Sequence, residues 1–306
     1  MFRMDKGRLE NTSSLPGFAG LGFRREMLSD LRNTTSPLDV DFFEIAPENW
    51  LAIGGRFAKD LREFTERYPF TCHGLSLSVG GYTELDTVLL KNIKRFMQTH
   101  QIPMYTEHLS WCADDGHLYD LLPIPCTEGA VKWVANRIKQ AQDILGMQIG
   151  IENASYYVVP PNAEMSEAEF VSAIVEESGC YFHLDVNNVY VNSQNFNFDP
   201  MAYLKSLPLE KVGYLHVAGH YVEDDGLIID THGAKVIDPV WHLLKQTYAM
   251  NRFNPVNTPT CLERDFNIPP ISELLQEVSK IRAIQTEFAK SFSVQQAKLQ
   301  KASAHA

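Results

Sequence analysis

Seven short segments of this sequence carry histidine or carboxylate side chains that could bind a metal. They are TCHGLSLS with His73, YTEHLSW with Glu107 and His108, and GIENASYY with Glu152 and Asn153. YFHLDVNNVY carries His183, Asp185, Asn187 and Asn188, YLHVAGH carries His216 and His220, IIDTHG carries Asp230 and His232, and CLERD carries Glu263. Neutral imidazole and carboxylate are the usual protein ligands of iron, manganese and zinc. So many groups exceed the needs of one ion. Two or three ions sharing bridging carboxylates would use them, and the charge of the ions would offset the cost of crowding acids in a partly buried place.

Other chemistries lack their residues. No GxGxxG stands between a strand and a helix, and there is no GxxxxGK[ST] and no GxSxG, which leaves dinucleotide binding, nucleotide hydrolysis and a serine nucleophile unsupported. The five cysteines (Cys72, Cys112, Cys126, Cys180, Cys261) form no CxxC pair, so they suit neither a disulfide framework nor a thiolate zinc site and read as reduced and mostly buried.

The elements that must position these residues alternate between short β-rich runs and longer helical ones, the pattern of βα units and a parallel sheet. Strands are expected over 17–23, 40–45, 70–76, 103–109, 148–152, 181–186, 212–217 and 260–264, and helices over 56–68, 85–100, 129–146, 167–178, 200–206 and 239–251 and from 271 onward. Ser166 with Glu169 reads as a capping box, and Asp199-Pro200 and Asp238-Pro239 each read as a cap residue followed by a first-turn proline. Gly146 and Gly179 stand where helix ends call for a left-handed residue. Eight strands and 306 residues fit one α/β domain, a single (β/α)8 TIM barrel, whose sites lie at the C-terminal ends of the strands. Most of the metal-capable residues fall at those ends. Residues 1–290 are expected to form the metal-binding catalytic barrel and 291–306 a flexible tail in which His305 carries no functional weight.

Strand parity sorts the candidates. His183 and Asp185 point the same way, and parity places Asn187 on their side and Asn188 opposite. His183 lies deeper, where barrel residues normally pack, and is read as structural. Glu107 and His108 have opposite parity, and His108 is the one expected to project inward. Asp230 and His232 are either two ligands on one side of an extended segment or a turn with an Asx bond; His220 is either a mouth residue or a turn residue after Gly219. Glu44 and Glu48 in FFEIAPENWL are either supporting acids or the acidic start of a loop.

Composition bounds the class. With 44% apolar and 21% charged residues the chain is an ordinary globular protein. A net charge of −11 without a Lys/Arg-rich run argues against nucleic acid as a partner. The N-terminus lacks the apolar core of a signal peptide and no stretch is apolar enough to span a membrane, so no membrane association and a cytoplasmic location are expected.

Across nearly its whole length the sequence resembles the multinuclear non-haem iron-dependent oxidative enzymes. GFAGLGFR, FFEIAPENW, HGLSLSVGG, TEHLSW, IENASYY, LDVNNVYVNSQNFNFDP, YLHVAGH, IDTHGAKVIDPVW and LERDFNIPP carry the resemblance. It implies a xylose-isomerase-like barrel with two or three irons in mixed Fe(II)/Fe(III) states and O2 as co-substrate. The implied activity is oxidative modification of cysteines in a ribosomally synthesised precursor peptide, with a small leader-binding partner protein. Carried over by motif, the metal ligands are His73, His108, Glu152, Asp185, His216, Asp230, His232 and Glu263. Asn187, Asn188 and His220 are possible additions, and Asp185, His216 and Glu263 are the catalytic residues. Two positions depart from the family pattern: His183 stands where an aliphatic residue is frequent, and Arg264 where tryptophan is common. The competing readings are a divalent-metal isomerase or phosphoester hydrolase on the same barrel, and a non-catalytic subunit whose metals staple its loops.

Overall fold

The structure, a computed structural model, describes residues 18–34, 37–114 and 116–303; Gly17, at the start of the first expected strand, and His305 lie outside them. Eight parallel strands close into a barrel in chain order: β1 (Ala19–Gly22), β2 (Phe42–Ile45), β3 (Phe70–Gly74), β4 (Tyr105–His108), β5 (Gly150–Glu152), β6 (Tyr181–Asp185), β7 (Val212–Val217) and β8 (Thr260–Leu262), which pairs back onto β1. Each lies within the segment expected for it.

Around the barrel run α1 (Leu28–Asn33), α2 (Gly55–Arg67), α3 (Thr87–His100), α4 (Glu128–Leu145), α5 (Glu167–Ser178), α6 (Val186–Asn195), α7 (Pro200–Ser206), α8 (Asp238–Ala249) and α9 (Ile271–Ser303). The capping box at Ser166 and Glu169 is formed, Asp199 caps α7, and Gly146 and Gly179 end their helices at φ +77 and +69. Asp238 differs from expectation: Ile237 occupies the cap position and Asp238 sits in the first turn, where its charge still faces the positive end of the helix dipole. α9 continues to Ser303 through the segment read as a tail, whose Gln, Ala and Lys residues are good helix formers.

Two features escape a strand-and-helix reading. Small antiparallel hairpins, Trp111–Ala113 with His117–Leu122 and Tyr221–Val222 with Ile228–Ile229, stand on the loops after β4 and β7. α6 begins directly at the end of β6: Asp185 is its N-cap, and its carboxylate accepts from the Asn188 N–H at 2.7 Å. Strand parity therefore stops at Asp185, and the expectation that Asn187 continues the alternation is corrected. A capping aspartate converts an extended run into a helix within one residue.

The core has two compartments. Leu21, Phe43, Ile151, Phe182, Leu184, Leu215 and Leu262 on the strands belong to the large cluster shared with helix residues such as Leu90, Ile138, Ile174, Leu244 and Ile281. A separate cluster of Phe42, Met104, Tyr181, Tyr214 and Cys261 fills the barrel interior. Gly20 makes room for this plug, because a Cβ there would enter the Phe42 ring. Two residues further along the same strands, on the same face, stand Glu44, His183, His216 and Glu263. The apolar floor thus fixes the height at which the polar layer begins.

Candidate metal centre

Glu152, at the end of β5, joins two groups of side chains. Its Oε2 is 3.1 Å from His73 Nε2 and 3.4 Å from His108 Nε2, and those two nitrogens are 3.1 Å apart. Its Oε1 is 3.1 Å from His216 Nδ1. That nitrogen also lies 3.0 Å from Glu263 Oε2 and 4.0 Å from Asp185 Oδ2. Glu152, Asp185, His216 and Glu263 each offer a ligand atom within 4.8 Å of the others, and all four are buried.

Glu263 leads to a third group. His232 Nδ1 is 3.2 Å from Glu263 Oε2, and His232 Nε2 is 2.9 Å from Asp230 Oδ1. Asn187 Nδ2 donates to Asp230 Oδ1 at 2.7 Å, and Asn187 Oδ1 meets His220 Nδ1 at 2.8 Å. His232 adopts φ +50, so the Asp-x-His segment is bent rather than extended and still turns both side chains to one spot. Such a backbone for a non-glycine residue costs on the order of 1 kcal/mol and is held by its surroundings. Asn188 goes elsewhere: its Nδ2 donates to the Asn153 carbonyl, and Asn153 bonds both backbone groups of Asp185, tying β5 to β6.

Most of these imidazoles are fixed from behind. His108 Nδ1 donates to the Gly74 carbonyl at 3.1 Å, which leaves the Nε2 lone pair facing Glu152. His73 Nδ1 is 2.7 Å from Thr106 Oγ1. His216 Nε2 donates to Glu44 Oε2 at 2.8 Å; the same carboxylate oxygen accepts from Tyr214 Oη, which pairs with Thr71 Oγ1. His232 Nδ1 is 3.0 Å from Asp265 Oδ2, and Asp265 is gripped by Arg24 through Nε at 2.7 Å. Glu44 and Asp265 are not among the ligands that the motifs single out. Glu44 is legible in the sequence as an inward position two after Phe42, whereas nothing short of folding joins Arg24 to Asp265.

Other assignments resolve simply. Glu107 accepts from Tyr105 Oη and the Leu77 and His108 N–H groups, and its Oε1 lies 3.5 Å from His108 Nδ1, the nitrogen turned away from Glu152. Glu48 accepts from the Leu75 and Ser76 N–H groups and anchors the loop after β3. Arg264 pairs with Glu277 on α9 at 2.9 Å and faces the helix layer. Four of the cysteines are buried, Cys126 is half-buried, and all five are free. His183 is fully buried among the rings of His73, His216 and Tyr214, with neither nitrogen hydrogen-bonded.

The electrostatics are those of a site built for cations. Burial, with the neighbouring Glu152 and Asp230 carboxylates, pushes Asp185 up to about 8. Burial acts against charged His216 and His232, but the carboxylates around them outweigh it and raise both well above the ordinary histidine value. Burial would likewise raise Glu263, yet those two imidazoles bring it down to about 2. Protons thus do the work of positive charge among these acids. The buried Glu152 Oε2 and Asp185 Oδ2 lack hydrogen-bond partners. Imidazole nitrogens converging with unpartnered carboxylate oxygens form a donor set that suits divalent first-row metals, which would replace those protons on binding.

The centre is open on one side. His108 and His232 side chains are 14% and 13% exposed, while His216 and Asp185 are closed off. Beside it an apolar cavity of about 250 Å³, lined by residues including Leu109, Ile124, Tyr156 and Phe170, adjoins a groove of about 540 Å³ with Trp111, Trp133, Val159 and Pro160.

Residues 18–286 match a family described as RiPP precursor modification enzyme MbnB/TglH/ChrH. The UPF0276 protein Nmul_A2550 of Nitrosospira multiformis is 57% identical over 272 residues, 89% of this chain and 94% of that protein. Solved structures share the fold at low identity. The 3-keto-D-glucoside 4-epimerase YcjR of E. coli superposes with a TM-score of 0.55 at 13% identity, covering 87% of this chain and 99% of that one. Endonuclease IV of Thermus thermophilus gives 0.54 at 14%, covering 88% and 98%. The likeness is one of fold, and a xylose isomerase-like TIM barrel fusion protein is among these neighbours, with a TM-score of 0.53 at 13% identity, covering 86% of this chain and 42% of that one.

Proposed function

The chain belongs to the MbnB/TglH/ChrH family of RiPP precursor modification enzymes, and from that premise we propose that it is an iron- and O2-dependent oxidase acting on cysteine residues of a ribosomally synthesised precursor peptide. Family membership and the buried ligand groups support a metal-dependent TIM-barrel enzyme. One observation carries the finer reading: three adjoining ligand groups are linked through Glu152 and Glu263 at the C-terminal ends of the barrel strands. That linkage supports a reading with two or three ions.

In this reading His73, His108 and Glu152 hold one ion, and Glu152, Asp185, His216 and Glu263 a second. Asp230 and His232, with Asn187 and His220, hold a third. When bound, iron supplies the reduction of O2 and the coordination of the substrate cysteine as thiolate. The protein's own groups do the rest. Glu44 and Asp265 orient His216 and His232, and the closed walls around Asp185, His216 and Glu263, the catalytic group, exclude water. The peptide enters past His108 and His232, and the neighbouring apolar groove gives its side chains a surface. A small leader-binding partner protein and a cytoplasmic setting complete the proposal.

The test is to purify the protein without oxygen or chelators and measure iron, manganese and zinc per chain, beside His232→Ala and Glu263→Ala variants. The expected result is two or more irons per chain, falling in both variants, and O2 consumption when a cysteine-containing precursor peptide and its partner are added. Zinc or manganese alone would favour an isomerase or hydrolase. Metal without O2 consumption would favour a stapled scaffold, and no metal would end the site argument.

A further inference from the structure

His183 is the one imidazole of the centre that nothing holds. It is fully buried, both ring nitrogens lack hydrogen-bond partners, and Glu152 Oε1, at 3.7 Å from Nε2, is beyond hydrogen-bond reach. Each of His73, His108, His216, His220 and His232 has a nitrogen set against an oxygen that fixes it. A neutral imidazole carries one donor and one acceptor, and burying both unpaired is costly, whereas an aliphatic side chain of similar size would pack the same place without that cost. The position is therefore poorly explained by packing. The surrounding atoms suggest what pairs it, for His73, Glu152 and His183 each offer a ligand atom within 4.8 Å of the others.

We propose that His183 is an additional protein ligand of the centre, reaching from the barrel floor to the ion that His73 and Glu152 hold and completing a His73–His108–Glu152–His183 set. Three imidazoles and one carboxylate then surround that ion, as many protein groups as the ion at Glu152, Asp185, His216 and Glu263 has, where three of the four are carboxylates. His183 would then help to hold in place Glu152, the carboxylate that this group shares with the group around His216. The inference rests on the metal reading given above and assigns a residue which that reading leaves out.

Metal-free wild type and His183→Leu are titrated with Co2+ under nitrogen, following stoichiometry, affinity and the visible absorption of the bound ion, and both metal-free forms are melted. The expected outcome is that one ion binds about tenfold or more weaker in the variant, with an altered spectrum. The metal-free variant should melt at the same or a higher temperature, because an unpaired buried group has been removed. Unchanged Co2+ binding and spectrum overturn the assignment, the more so if the metal-free variant melts lower, as for a water-bridged structural histidine. Should the leucine form fail to fold, His183→Met, which fills the space with a poor ligand for Co2+, is read by the same criteria. A wild type that takes up no Co2+ overturns the metal reading itself, so the two failures are distinguishable.

Discussion

Glu44 and His216 form the smallest unit on which the centre depends. The carboxylate accepts the Nε2 proton, so Nδ1 is the nitrogen turned towards Glu152, Glu263 and Asp185 and left for an ion. Tyr214 and Thr71 lock the carboxylate in turn. An imidazole backed by a carboxylate is a stronger ligand held at a fixed angle, and loss of such support typically costs about 10–100-fold in metal affinity. Glu44→Gln keeps the shape and removes the charge, so it should weaken the ion at His216 by that factor while leaving the fold intact. Competition with a chromophoric chelator measures this; an unchanged affinity would mean that Glu44 serves only the plug beneath it. His232 is held by the opposite nitrogen, through Asp265 and Arg24.

At the scale of elements, the third ligand group depends on loops pressed together rather than on strands. His220 follows β7 at the foot of its hairpin, and His232 sits in the bent segment before α8. Gly219 is where they touch, since a Cβ there would strike the backbone carbonyls of Ala234 and Lys235. Neither obstacle is a flexible side chain that could step aside. Gly219→Ala should therefore cost about 1–3 kcal/mol of stability and lower metal content by the ion at Asp230 and His232, while the group around Glu152, built on strand ends, keeps its ion. Thermal melting with metal analysis checks both. Equal loss from all groups would show that the loops and the strand ends do not behave independently.

For the molecule as a whole, the ligands are drawn from β3 to β8 and the loops above them, so a bound ion crosslinks most of the barrel. Ions that bind the folded chain and not the unfolded one stabilise it by mass action, by about 2.7 kcal/mol per site when free metal is near a hundredfold above its dissociation constant. The melting temperature should rise with added Fe2+ under anaerobic conditions and fall back on chelation. A chain that melts at one temperature with and without metal would contradict a crosslinking centre. The apolar floor sets the other limit: Phe42, Tyr181 and Tyr214 fill the lower barrel, so ions have room only towards the C-terminal ends of the strands.

Alternation in the strands made much of this legible without coordinates. Glu44, His216 and Glu263 follow inward plug residues by two, and local rules suffice because a strand's period is two regardless of what it packs against. Turn and cap chemistry gave the helix ends at Ser166, Asp199, Gly146 and Gly179 for the same reason: those interactions close within a few residues. The sequence by itself determined the eight strands, their order and which faces carry imidazole and carboxylate. It could not reveal that Asp185 ends β6 by capping α6, because the same residues read equally well as a continuing strand until a tertiary partner decides. Nor could it show that Arg24 meets Asp265 across 241 residues or that Asn188 ties two strand ends while its neighbour Asn187 faces Asp230. Only barrel closure, which joins β1 to β8 and sets each strand's height against the next, brings those groups within bonding distance.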